Sequence, residues 1–248
     1  MSAQKSTLWL LTAFTLAAAL VSLVGELFKT HLIWYFRFMD FVDLVVVAPL
    51  YLASLLLLYE QFLKANASRR LRRIFLILVC VFLYGHAMHM TANAVNTFST
   101  EIRNYRPIIP DDSYALLHFL DETLSHLIIF AALDGLLACL LVLDAQYLAS
   151  EGSRRPQALG LVFGGLFGVC EALAFIEGGK VYLVPFVVVV LGAIWLWLWR
   201  RSRSPFAAFL SAGPVTAFVG ALLPSLLVAL GVYAAVVGGF TQPSELGL

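Results

Sequence analysis

The chain has 248 residues, 61% hydrophobic and 12% charged, with a formal net charge of +1. A soluble domain is roughly half apolar and about a quarter charged, so the composition excludes an ordinary soluble enzyme. The basic residues sit in short loops between apolar runs, which excludes a nucleic-acid surface. Runs of about 20 apolar residues recur along the chain and indicate an all-α polytopic membrane protein, organised as one membrane domain over 1–248.

The first run, Leu8 to about Phe28, follows Lys5 and contains the small-residue patch Ala17-Ala18-Ala19. It is longer than the roughly 7–15 apolar residues of a signal-peptide core, so it reads as a retained span. Glu26 lies near its far end, one helical turn after Ser22. The aromatic segment His31 to Met39, with Arg37 inside it, suits a membrane interface. Span two runs from Asp40 to Leu63 and carries Asp43 near its start; Tyr51 and Ser54 continue that face. Lys64, Arg69, Arg70, Arg72 and Arg73 follow in one loop.

Span three, Ile74 to Phe98, contains His86, His89 and Asn93. After the proline-bearing loop Ser99 to Ser113, where Asp112 or Ser113 could cap a helix, span four runs from Tyr114 to Tyr147. It contains His118, Asp121, Glu122, Ser125 and His126, and further on Asp134 and Asp144. Span five, Leu159 to Ile176, carries Glu171 and ends in the turn Glu177-Gly178-Gly179-Lys180. Span six runs from Val181 to Trp199. Span seven, Phe206 to Phe240, is interrupted by Gly213-Pro214 and by Pro224, where a kink or break is expected. Cys80, Cys139 and Cys170 all fall in apolar runs and form no loop pair, so a disulfide framework is not expected.

Positively charged loops stay on the cytoplasmic side. Seven spans with the N-terminus inside place 11 lysines and arginines inside and 5 outside, so the expected topology is N-inside, C-outside. Helices running in opposite directions then bring their polar residues to one depth, in the outer half of the bilayer. At about 100° per residue, His86, His89 and Asn93 share a face. His118, Asp121, Glu122 and Ser125 share another, with His126 at its edge and Asp134 well off it, as a separate packing partner. Ionisable groups inside a span are costly and mark function.

Imidazole and carboxylate are ligands for zinc, and also for iron, manganese or copper. The expected metal ligands are His86, His89, Glu122 and His126, with His118 or Asp121 exchangeable. Glu26, Asp43, Asn93 and Glu171 could extend the site to a second metal or support the ligands. Asp121 or Glu122, where not a ligand, would serve as general base, and Ser125 would orient the substrate. Depth within the bilayer points to a lipid or another apolar substrate, entering between the broken span seven and Trp34 to Phe38.

Seven spans with buried His, Asp and Ser resemble the intramembrane zinc hydrolase superfamily, which includes alkaline ceramidases and progestin/adiponectin receptors. The resemblance covers helix count and residue types. That family carries a His pair on its last span, whereas here His86 and His89 lie on span three and span seven has no histidine. The resemblance implies zinc and the hydrolysis of an amide or ester. Two alternatives stay open at the level of sequence. One is a redox protein holding haem, iron or copper; the other is a transporter for metal ions or protons. The expected setting is a bacterial or archaeal cytoplasmic membrane.

Overall fold

The computed structural model describes residues 3–28, 32–33, 36–96, 110–147, 154–210 and 213–242. The first helix, α1, is Ala3–Phe28. Two-residue strands, β1 (Leu32–Ile33) and β2 (Phe36–Arg37), pair antiparallel and lead into α2. Helix α2 runs as Phe38–Val42, widens to a π-helical stretch at Asp43–Val47, and continues as Ala48–Lys64. Then come α3 (Arg69–Asn96) and α4, which begins as Asp111–His118, passes through a second π-helical stretch at Phe119–Ser125 and continues as His126–Tyr147. Helix α5 is Arg154–Glu177; a 3₁₀ turn, Val181–Leu183, precedes α6 (Val184–Ser202); α7 is the short Phe206–Leu210; and α8 is Pro214–Val237.

Among the described residues, six segments are long and apolar enough to cross a membrane: Asp40–Lys64, Arg69–Asn96, Asp111–Gln146, Ala158–Glu177, Val181–Ser202 and Pro214–Val237. Their outward faces keep large apolar side chains uncovered, with Val236 81% and Phe186 67% exposed. Such a surface suits lipid, where each helix satisfies its own backbone. The chain is a multi-pass integral membrane protein.

Local chemistry sets the helix ends. The Ser68 Oγ accepts from the Leu71 amide at 3.2 Å and opens α3. Asn66 takes a left-handed φ of 52° to close α2. Gly179, at φ 60°, closes α5, with Lys180 N donating to Phe175 O at 2.8 Å and Gly179 N to Ile176 O at 3.0 Å. That is the paired closure a C-terminal glycine permits. At α4 the expected cap is corrected: Pro110 holds the N-cap position rather than Asp112 or Ser113, and its carbonyl accepts from Tyr114 N at 3.0 Å. At Pro224 the helix does not break: α8 continues through it. Pro214 instead opens α8, where a missing amide hydrogen costs nothing.

Packing follows two rules of small residues. Helices α3 and α4 run antiparallel, with Gly85 against Ile128 and Gly135 against Leu78. Helices α5 and α8 run parallel at backbone contact. A Cβ on Gly160, Gly164 or Gly168 would lie 2.5, 2.1 or 2.4 Å from the carbonyl oxygen of Pro214, Phe218 or Leu222 respectively. Small residues every fourth position let membrane helices approach this closely. Asp144 of α4 pins the start of α8: its Oδ2 accepts from Thr216 N at 2.9 Å and Thr216 Oγ1 at 3.0 Å. Phe14 of α1 packs against Tyr51, Phe82 and Phe167, with ring centroids 4.6, 5.9 and 6.1 Å apart. These rings join α1, α2, α3 and α5 beneath the polar end of the bundle.

Candidate functional site

A cavity of about 340 Å³ opens where α2, α3, α4 and α5 meet. Its lining carries Asp43, His86, His89, Asn93, Glu122, His126 and Glu171; Glu177 and Gly178 lie at the α5–α6 turn. Phe14, Phe82, Phe130 and Phe167 share that lining, Phe82 beside His86 and Phe130 beside His126, with ring centroids 6.1 and 6.0 Å apart. The cavity is therefore amphipathic, with acidic, imidazole and aromatic groups side by side.

Three histidines each stand beside a carboxylate. His86 Nε2 is 3.5 Å from Asp43 Oδ1, joining α3 to α2. His89 Nδ1 is 3.0 Å from Asp121 Oδ1, joining α3 to α4. His126 Nδ1 is 3.9 Å from Glu122 Oε2. It also lies 2.9 Å from the Glu122 carbonyl oxygen, which can only accept, so Nδ1 carries the hydrogen there. In the neutral ring Nε2 then keeps its lone pair. The rings of His89 and His126 lie with centroids 4.7 Å apart. His86 is framed by Tyr51 and Phe82, with ring centroids 5.5 and 6.1 Å away.

Proximity has not become hydrogen bonding for the first two pairs. His86 Nε2, His89 Nδ1, Asp43 Oδ1 and Asp121 Oδ1 are buried without a hydrogen-bond partner. Each nitrogen instead faces its carboxylate as a close ion pair, at 3.5 Å for His86–Asp43 and 3.0 Å for His89–Asp121. Buried polar atoms are nearly always satisfied, so this concentration of orphaned nitrogen and oxygen marks a site shaped for something else. Nearby, Asn93 Nδ2 donates to Asp40 Oδ1 at 3.0 Å and fixes α3 to the start of α2.

Both π-helical stretches fall at this site. Asp43 begins one; Asp121, Glu122 and Ser125 lie in the other. A π turn takes up an extra residue and shifts the phase of every side chain beyond it. That explains the departures from a uniform 100° reading. His118, before the π stretch, is exposed and does not line the cavity, whereas His126, after it, does. Ser125 is fully buried, and its hydroxyl donates to the Asp121 carbonyl one turn back. Ser125 therefore braces the helix rather than lining the cavity.

The expected site residues thus divide. Asp43, His86, His89, Asn93, Glu122, His126 and Glu171 meet around one cavity, and Asp121 reaches it through His89. His118 and Ser125 do not line it. Glu26 sits on α1, and its side chain lies outside the described residues, as do Trp34 and Tyr35. The chain matches no known protein family, characterised protein or solved structure.

The sequence reading passed over Lys180, which seemed only a turn residue. It is 7% exposed, and its Nζ donates to the Gly178 carbonyl at 2.7 Å. A lysine so nearly buried is rare unless it is paired, but a glycine-rich turn gives no hint of that burial. Asp134, expected off the His118 face, is buried and does not line the cavity.

For a metal, the donor types fit: imidazole nitrogens and carboxylate oxygens, buried and without hydrogen-bond partners. They are arranged in pairs. Among the described residues, no group of three or more His, Cys, Asp and Glu side chains is disposed to hold one ion.

Proposed function

We propose that the chain is a membrane-embedded hydrolase acting on a lipid or similarly amphipathic substrate, with zinc as the metal its donor set suits best. Helix α1, 26 residues long, serves as a seventh span, with the N-terminus inside and the C-terminus outside, in a bacterial or archaeal cytoplasmic membrane. The observation that carries this reading is the cavity's lining. His86, His89 and His126, each beside a carboxylate, share one cavity with four phenylalanines in a membrane bundle. Ionisable groups so placed are functional by default, and sites for small molecules join apolar lining to a few convergent polar groups.

His89 and His126, whose ring centroids lie 4.7 Å apart, would hold the metal; among the described residues no third donor is gathered with them on one point. When bound, zinc supplies a water that ionises near neutral pH. The residues themselves divide the remaining work. Glu122, only partly buried and lining the cavity, accepts a proton from a water at its Oε2. Asp121 fixes the His89 ring from below. The Glu122 carbonyl holds His126 in the tautomer that leaves Nε2 unprotonated. Phe14, Phe82, Phe130 and Phe167 receive the apolar part of the substrate and exclude bulk water. The reading shares helix count and residue types with the intramembrane zinc hydrolases.

The test is turnover of a panel of lipid amides and esters by detergent-purified protein. Hydrolysis that His89→Ala and Glu122→Gln abolish, with the fold retained, supports the reading. Hydrolysis at the wild-type rate in both variants contradicts it. A transport reading draws on a different observation, the buried carboxylates Glu171, Asp134 and Asp144, of which the last two extend along α4 beyond the cavity. Uptake of metal ions or protons by proteoliposomes, without hydrolysis, would favour it.

A further inference from the structure

Glu171 differs from the other acids of the cavity. The stripe that α5 turns to the cavity is Phe167, Cys170, Glu171, Ala174, Glu177 and Gly178, the spacing of one helical face. Glu171 is 4% exposed, and both its carboxylate oxygens are buried without a hydrogen-bond partner. Asp43 and Glu122, which line the same cavity, stand beside His86 and His126. Among the described residues no lysine, arginine or histidine forms an ion pair with Glu171, and no lysine or arginine lines the cavity. A buried carboxylate without hydration or a counter-charge is costly. One that lines a cavity is placed to receive positive charge from whatever fills it.

The surroundings decide the kind of cation. An inorganic ion such as calcium takes about six to eight oxygens converging on one point. Among the described residues no group of three or more His, Cys, Asp and Glu is disposed in that way. An ammonium carried on an organic molecule asks for less: one carboxylate and the faces of aromatic rings. Phe167 lies one helical turn from Glu171 on the same face. Its ring centroid is 6.1 Å from that of Phe14, which is 4.6 Å from that of Tyr51, and all three line the cavity. The histidine end lies further along α5. A Cβ on Gly178 would meet His126 Nδ1 at 3.3 Å, and Glu171 is two turns earlier, about 10 Å along the axis. One amphipathic molecule in this cavity of about 340 Å³ can reach both.

We propose that Glu171, with Phe167, Phe14 and Tyr51, forms a subsite for an organic cation, the amine or quaternary ammonium end of an amphipathic molecule. This gives the substrate its charge, and in that respect it rests on the hydrolytic reading above; the binding itself needs no turnover.

The test is calorimetric titration of the protein in lipid nanodiscs, with empty nanodiscs subtracted, using hexyltrimethylammonium, 1-hexanol and hexyl sulfate. We expect hexyltrimethylammonium to bind at least about tenfold more tightly than hexanol, the scale of a desolvated cation on aromatic faces, and hexyl sulfate to bind worst. In Glu171→Gln the advantage of the cation over hexanol should vanish, while hexanol binding persists and reports an intact cavity. His89→Ala, which stops turnover on the reading above, should keep the preference. Absent hydrolysis with the preference intact thus sinks the hydrolytic reading alone, and hydrolysis without the preference sinks this one alone. Equal affinity of the cation and hexanol in the wild type would overturn the proposal, Glu171 then being held neutral by a proton. A preference that survives in Glu171→Gln would overturn it as well. The wild-type comparison stands even if the variant does not fold.

Discussion

The α5–α8 interface and the α2–α3–α4 end of the bundle solve opposite problems. Along α5–α8, Gly160, Gly164 and Gly168 bring two backbones into contact, and Val215, Val219, Leu222 and Leu226 of α8 are 0% exposed. No ionisable side chain intrudes between those glycines and the α8 backbone. At the other end, helices stand apart around a cavity, and most of the buried polar atoms without partners are gathered there, on Asp40, Asp43, His86, His89, Asp121 and Glu171. One region gains stability from dispersion at close range. The other gives up stability to keep polar groups unpaired, as functional sites do. The bundle is thus a rigid glycine-packed seam beside a polar chamber.

The seam should break first and hardest. Gly164→Leu places a side chain where even a Cβ would lie 2.1 Å from the Phe218 carbonyl oxygen. Overpacking of this kind costs about 3 kcal/mol or more, and thermal unfolding in detergent should show a large loss of midpoint. Gly231→Ala, on α8 with nothing within 4 Å, should change stability by less than about 0.5 kcal/mol. Similar losses at the two positions would deny that the seam is special.

The chamber should respond in the reverse sense. His89→Ala should reduce hydrolysis by about 100-fold or more, the scale of a lost acid–base or ligand group, with the fold retained. Some loss of unfolding midpoint is expected as well, because the substitution leaves Asp121 buried without its imidazole partner. A collapse of the fold in His89→Ala would make the chamber structural, like the seam.

Asp144 gives an intermediate effect. It caps α8 from another helix, so Asp144→Ala strands the Thr216 amide and hydroxyl and should cost about 1–2 kcal/mol, with turnover little changed. The exposed pair Lys64–Glu60, at 3.2 Å with side chains 62% and 52% exposed, marks the lower limit. Glu60→Ala should be nearly silent in the same unfolding assay.

The two regions were unequally legible in the sequence. Convergence of Asp43, His86, His89, Asn93, Glu122, His126 and Glu171 followed from charge asymmetry and antiparallel spans, because both are properties of single helices and loops. The exclusion of His118 did not follow. A uniform helical wheel has no π stretch, and Phe119–Ser125 re-phases α4 at that point. The seam was readable in principle: Gly160, Gly164 and Gly168 recur every four residues inside an apolar run. Their partner helix was not, because which face meets them depends on tertiary packing.

The most direct test of the chamber is the metal content of purified protein, wild type beside His89→Ala and His126→Ala. Near-stoichiometric zinc in the wild type, lost in both variants while each remains folded, is the result this account predicts. A wild type that holds no zinc when purified without chelator, or variants that retain it in full, would contradict the assignment of these histidines.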